Sequence, residues 1–235
     1  KTWTNVGLKE THHIGRIVVH PTNPNVAYVA AAGRLWGPNK ERGVYKTTDG
    51  GKTWQLALFI NEDTGVNDVA MDWQSPDTLY AAAYQRRRTV FGFNGSGPHG
   101  AIYKTTDGGA TWKKITRGMP YDAASNPQTP ANVLTETGRI GIDIYRKNTD
   151  IVYALIEHGT GGIYRSEDKG ETWTKMSNTN PRPMYYSQPR VDPNNDLRIW
   201  LMGAPVYFSE DGGKTFVTTR GGRIHGDYHG FWINP

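Results

Sequence analysis

The residues whose type and spacing can do chemistry are few. His225, Asp227 and His229 alternate along the segment HGDYH, so an extended strand projects all three to one face and begins a metal site. His12 or His13 on another strand is able to complete it, and the competing reading is histidines hydrogen-bonded in an interior. Asp68, Asp227 and Glu136 are the acidic side chains that lie outside turn positions near a ligand face. Cleavage of a glycosidic bond needs two such carboxylates about 5 to 9.5 Å apart, one as acid and one as base or nucleophile. Arg16 and Arg139 offer planar forks suited to a carboxylate or another anionic group. The insertion QRRRTVFGFNGSGPHG (85–100) sets Arg86 and Arg87 beside two phenylalanines, a combination favoured by recognition surfaces. In PRPMYYSQPR (181–190), Tyr185 and Tyr186 are placed either to stack on a sugar ring or to pack against neighbouring structure. No Ser/His/Asp arrangement, phosphate loop or HExxH segment is present, and no cofactor is implied.

Composition narrows the classes further. The 235 residues contain no cysteine, which removes thiolate nucleophiles, disulfides and Cys-ligated zinc together. The net charge of +5 is scattered, with one local run at Arg86, Arg87 and Arg88, whereas a nucleic-acid face clusters its Lys and Arg along one element. Nucleic acid is therefore not an expected partner. No run of about 18 apolar residues occurs, so membrane insertion through a helix is not expected either.

The elements that must hold these side chains are set by an internal repeat. VYKTTDGGKTW (44–54), IYKTTDGGATW (102–112), IYRSEDKGETW (163–173) and VYFSEDGGKTF (206–216) share one template, and Lys1, Thr2 and Trp3 repeat its end. Asp49, Asp107, Asp168 and Asp211 stand 58, 61 and 43 residues apart, the period of propeller blades. Between the boxes, pairs of Val/Ile/Tyr-rich stretches flank Asn-Pro or Ser-Pro turns, and no 3.6-residue period is sustained. Four strands per repeat make an all-β fold, a β-propeller of four-stranded antiparallel blades. The boundaries are repeats around 4–54, 55–112, 113–173 and 174–216 with a partial blade at 217–235, all in one propeller region. Within each box, Gly51, Gly109, Gly170 and Gly213 permit a positive φ, and the Asp accepts backbone N–H bonds, so the boxes are structural.

About four blades plus partial strands do not close a ring neatly, which predicts a fragment of a larger propeller with the remainder of a longer polypeptide as partner. Ligands are expected at the channel mouth, where inner strands begin. Aligning those strands stacks Arg16, Asp68, Arg139 and Gln188 as a polar ring there, with His20, Asp72, Asp143, Asp192 and Asn234 as turn caps at their other ends.

The box template is that of the Asp-box, or BNR, repeat, found in sialidases, xyloglucan-active hydrolases, a photosystem II assembly factor and sortilin-like receptors. With DTGVNDVAMD (63–72), YAAAYQRRR (80–88), PMYYSQPRVDP (183–193) and HGDYHGFWINP (225–235), the whole chain resembles bacterial sortilin-like propeller proteins often labelled glycosyl hydrolase. That resemblance implies a secreted, periplasmic or cell-surface setting. The Arg-Ile-Pro segment of sialidases is missing, since GRIV and GRIG take its place. A peptide-binding or glycan-binding module is the first expectation, and a glycoside hydrolase of the BNR type the alternative.

Overall fold

A computed structural model describes residues 2–122, 136–219 and 226–235. Its first sheet runs β1 (Ile14–Val19), β2 (Ala27–Ala31), β3 (Gly43–Thr47) and β4 (Gln55–Leu58). The second uses β5 (Thr64–Met71) and β6 (Leu79–Gln85), then a separate hairpin of β7 (Arg87–Thr89) and β8 (Gly92–Asn94), before β9 (Ala101–Thr105) and β10 (Lys113–Lys114) complete it. The third holds β11 (Ile140–Ile144), β12 (Val152–Ile156), β13 (Gly162–Ser166) and β14 (Thr174–Ser177). The fourth holds β15 (Pro189–Asp192), β16 (Asn195–Leu201), β17 (Val206–Ser209) and β18 (Val217–Thr219). Each sheet is a four-stranded antiparallel meander, and β1, β5, β11 and β15 lie side by side around the axis. The fold is a β-propeller built from such blades.

The blades hold together through cores that lie between them. Val44 and Leu58 of the first blade pack on Val66, Met71 and Leu79 of the second. Ile102 and Ile115 pack on Ile140, Ile142 and Ile144 of the third, and Leu155 and Ile163 on Val191, Ile199 and Leu201 of the fourth. Complete burial of side chains this size contributes about 1.5–3 kcal/mol each. A repeated tyrosine rivets each interface. Tyr28 donates to the Gly108 carbonyl, Tyr80 to that of Lys169 and Tyr153 to that of Asp196, each at 2.8 Å and each in the following blade.

The Asp boxes close the β3–β4, β9–β10, β13–β14 and β17–β18 hairpins. In the first, Thr53 donates its hydroxyl to Asp49 Oδ2 at 2.6 Å and its N–H to Oδ1 at 3.0 Å, while Thr47 donates to Oδ1 at 2.8 Å. Gly51 sits at φ 87°, which a side chain resists. The other three boxes repeat this net. Since β3 to β4 turns and β1 to β2 turns share one end of each blade, the boxes occupy the face opposite the long loops. No helix among the described residues is long and apolar enough to cross a membrane.

Candidate functional site at the channel and its mouth

The four inner strands set their side chains by hydrogen-bond register. Arg16 pairs with Ala30, Asp68 with Ala82 and Gly141 with Leu155, and these three pairs sit at equivalent distances from the boxes. Gln188, whose carbonyl accepts from Met202 N, occupies the same level. Arg139 therefore lies two residues outside the ring expected for it. The shared GRI tripeptide of the first and third inner strands is a coincidence of residues at different depths. Asp143 is corrected by the same slip: it is not a turn cap but lies within β11 at the level of Val18, Ala70 and Arg190, while Tyr145 takes the turn position.

The channel thus contains Arg16, Asp68, Asp143 and Arg190, which line a narrow cleft of about 120 Å³. Arg16 Nε donates to Asp68 Oδ1 at 2.9 Å, and the attraction of Asp68 raises the Arg16 pKa. Asp68 also accepts from Val69 N at 3.0 Å and, on Oδ2, from Ile142 N of the next blade at 3.1 Å. Asp143 repeats the device, accepting from Ile144 N at 3.2 Å and from Val191 N of the fourth blade at 2.8 Å. Burial pushes the Asp143 pKa up, and the field of Arg190 opposes that shift. Every oxygen of both carboxylates thus holds a backbone donor or a guanidinium.

At the mouth on the loop face, Arg139 Nη1 donates to the Tyr185 carbonyl at 2.9 Å, and its Nε is buried without a partner among the described residues. Burial lowers its pKa, and Tyr84, Asp68, Arg86 and Glu157 are the charges it feels. Glu157 Oε2 accepts from Arg139 N at 2.8 Å, and burial raises the Glu157 pKa. Beside it opens a cleft of about 680 Å³ with Glu136, Glu157, His158, Lys175 and Phe93 in its wall. Glu136 Oε2 accepts from Ser96 Oγ there at 3.0 Å. Glu157 was not legible as a site residue in the sequence; its signal was an acidic residue directly after the apolar strand VYALI.

The two tyrosines part company. Tyr185 is 46% exposed with the Arg182 guanidinium 4.3 Å from its ring centre, whereas Tyr186 is 1% exposed and donates to Asp227. Tyr186 is thus a packing residue, and Asp227 is pinned by Tyr186 and by His229 Nε2 at 3.0 Å. Asp227 and Asp68 are thus held by different partners. His225 lies outside the described residues, and among the described residues no group of three His, Asp or Glu side chains is placed to hold a metal. In the insertion, Arg87 is ion-paired with Asp63, and Arg88 lies over the Phe93 ring.

The family model described as Sortilin-Vps10, "Sortilin, neurotensin receptor 3", matches residues 1–132. A xyloglucanase from Paenibacillus sp is 28% identical over 184 residues, which are 76% of this chain and 16% of that protein. The photosystem II assembly lipoprotein Ycf48 of Picosynechococcus sp. is 24% identical over 81% of this chain and 58% of its own. Among solved structures, the Niastella koreensis GH74 enzyme superposes with a TM-score of 0.56 at 24% identity, covering 86% of this chain and 29% of that one. YCF48 bound to D1 peptide gives 0.52 at 15% identity, over 89% and 54% of the two chains. These likenesses establish the propeller, and the chain spans well under a third of the first xyloglucanases it matches.

Proposed function

Because the chain belongs to the Sortilin-Vps10 family, we propose that it is a ligand-binding propeller module, holding a peptide or glycan at its loop-face mouth, in a secreted, periplasmic or cell-surface protein. Arg139 and the exposed ring of Tyr185 form the contact, with Arg16 deeper in the channel. The observation that carries this reading is the commitment of Asp68 and Asp143 to blade-to-blade hydrogen bonds, beside an Arg139 Nε that lacks a partner among the described residues. Buried, unpaired guanidinium donors are groups that a ligand oxygen satisfies. The two ligand classes are supported by relatives named xyloglucanases and by a neighbouring propeller seen with a peptide.

A glycan array and a peptide library, screened with the purified chain, test it. Saturable binding that weakens in Arg139→Gln supports the reading, and absence of binding to both collections ends it. The second reading, a glycoside hydrolase, is favoured by the cleft that carries both Glu136 and Glu157. Burial raises the Glu157 pKa, the direction that suits a general acid. Release of reducing sugar from xyloglucan, abolished by Glu157→Gln with the fold intact, would establish it.

A further inference from the structure

A second basic site lies beside the mouth, where the insertion of the second blade meets the β2–β3 loop of the first, with Arg86 within electrostatic reach of Arg139. Arg88 N donates to the Leu35 carbonyl at 2.9 Å, and Trp36 and Arg88 form a parallel bridge. Two residues before these lie Arg34 and Arg86, and the fields of both act on Arg42. Like charges gathered in this way repel. Beneath them lies Arg42, 1% exposed, with Nε on Asn39 Oδ1 at 2.8 Å, Nη1 on the Asp63 carbonyl at 2.7 Å and Nη2 on the Arg34 carbonyl at 3.1 Å. Gly33 makes this possible, since a Cβ there would come within 2.6 Å of Arg42 Nε.

The cluster is short of counter-charge. Asp63 is taken by Arg87, the Glu41 carboxylate accepts from Asn39 Nδ2 at 3.4 Å, and among the described residues Arg34, Arg42 and Arg86 form no salt bridge. Arg34 Nε and Arg86 Nε and Nη2 are buried with no hydrogen-bond partner among the described residues. Burial, and then the fields of Arg87, Arg86 and Arg34, lowers the Arg42 pKa to about 10. Buried ionised donors without partners are costly, and three guanidiniums left unpaired call for more than one negative charge. Forked N–H groups match the oxygens of a tetrahedral anion.

We infer that Arg34 and Arg86, over the buried Arg42, form a binding site for a doubly charged oxyanion, sulfate or phosphate, free or as an ester. A single carboxylate neutralises too little of the cluster and offers too few oxygens. The donors of this site are not those of the Arg139 contact, which uses the Tyr185 carbonyl.

The test is a melting-temperature titration of the full chain with sodium sulfate and with sodium phosphate. Ionic strength is held constant, and concentrations stay below those at which these salts stabilise proteins generally. A saturable rise is expected that acetate and chloride do not give. The apparent affinity falls about tenfold or more in Arg86→Gln and in Arg34→Gln, as removal of a charge-assisted donor pair predicts. It is unchanged in Arg198→Gln on the fourth blade. Without oxyanion, Arg86→Gln should melt no lower than the parent, because a repulsive charge has gone. If a Gln variant fails to fold, Arg86→Lys, which keeps the charge and loses the fork, must show the weakened response. Competition by glucose 6-sulfate or by O-phosphoserine supports the site and identifies its ester carrier, and competition by neither marks it for the free ion. No saturation, an equal response to acetate, or a saturable response untouched by both Gln variants overturns the inference.

Discussion

Asp68 Oδ2 accepts the backbone N–H of Ile142, so a side chain of the second blade completes the inner-strand hydrogen bonding of the third. Asp143 does the same from the third blade to Val191 of the fourth. The channel acids thus act as fasteners between neighbouring blades, set at two different depths.

Replacing Asp68 tests that role. Its side chain is only 5% exposed and takes Arg16, Val69 and Ile142 at once. Asp68→Asn removes the negative charge and leaves Arg16, which is about one-third exposed, without its partner. Loss of one member of a buried pair costs about 3–5 kcal/mol, and the partial exposure of Arg16 places the expectation at roughly 2–3 kcal/mol. Urea unfolding measures it, and the double variant with Arg16→Gln should lose less than the sum of the singles. A loss of turnover without a loss of stability would instead make Asp68 catalytic.

Gly141 gives a steric prediction. A Cβ at this position would lie 1.9 Å from the Ser187 carbonyl oxygen of the fourth blade. The obstacle is backbone, so no side-chain rotation relieves it. Gly141→Ala should destabilise the chain by about 3 kcal/mol or more, as overpacking at a rigid interface does. Thermal unfolding checks it, with Gly92→Ala, where a Cβ meets nothing within 4 Å, as the comparison.

The boxes and the four-stranded blades were legible because each rests on fixed residue types at fixed local spacing. The channel was less so. Arg16 and Arg139 share a GRI tripeptide, but depth in a propeller is set by pairing to the neighbouring strand, and β11 pairs so that Gly141 is level with Arg16. The tyrosines Tyr28, Tyr80 and Tyr153 stood at equivalent places in the sequence, yet their role appears only when the next blade supplies a carbonyl. Arg34 and Arg42 are not legible as a cluster in the sequence, because the arginines that act on them arrive from the second blade, some fifty residues later in the chain. Tyr186 and Asp227 were both visible as chemistry, but the hydrogen bond between them was not, because 41 residues separate them in the chain.

At the mouth, Arg139→Gln should weaken the ligand found in the binding screens by about tenfold, roughly 1.4 kcal/mol, since it removes one charged donor group. Titration calorimetry measures it. Arg139→Lys should recover only part of the affinity, because the fork that also holds the Tyr185 carbonyl is lost. Full recovery would reduce the contact to charge alone.

The boxes predict how the fold responds to acid. The Asp49 carboxylate is held well below the usual carboxyl range, first by the Thr53 hydroxyl, then by Thr53 N–H and the Thr47 hydroxyl. Asp107 is held down in the same way, first by Thr105 and then by Thr111. A folded-state value depressed below the unfolded one means that the stabilisation is fully present above the ordinary value of 3.8 and fades as pH falls through it toward the folded value. The melting temperature should therefore drop steeply below about pH 4, with several boxes contributing to the slope. Thr53→Val removes the largest single cause and keeps the backbone donor. The Asp49 carboxyl should then titrate at higher pH by carbon-detected NMR, and the acid slope of the melting curve should shrink. An unmoved Asp49 titration would show that the turn is held by backbone donors and glycine geometry, with the hydroxyl contributing nothing.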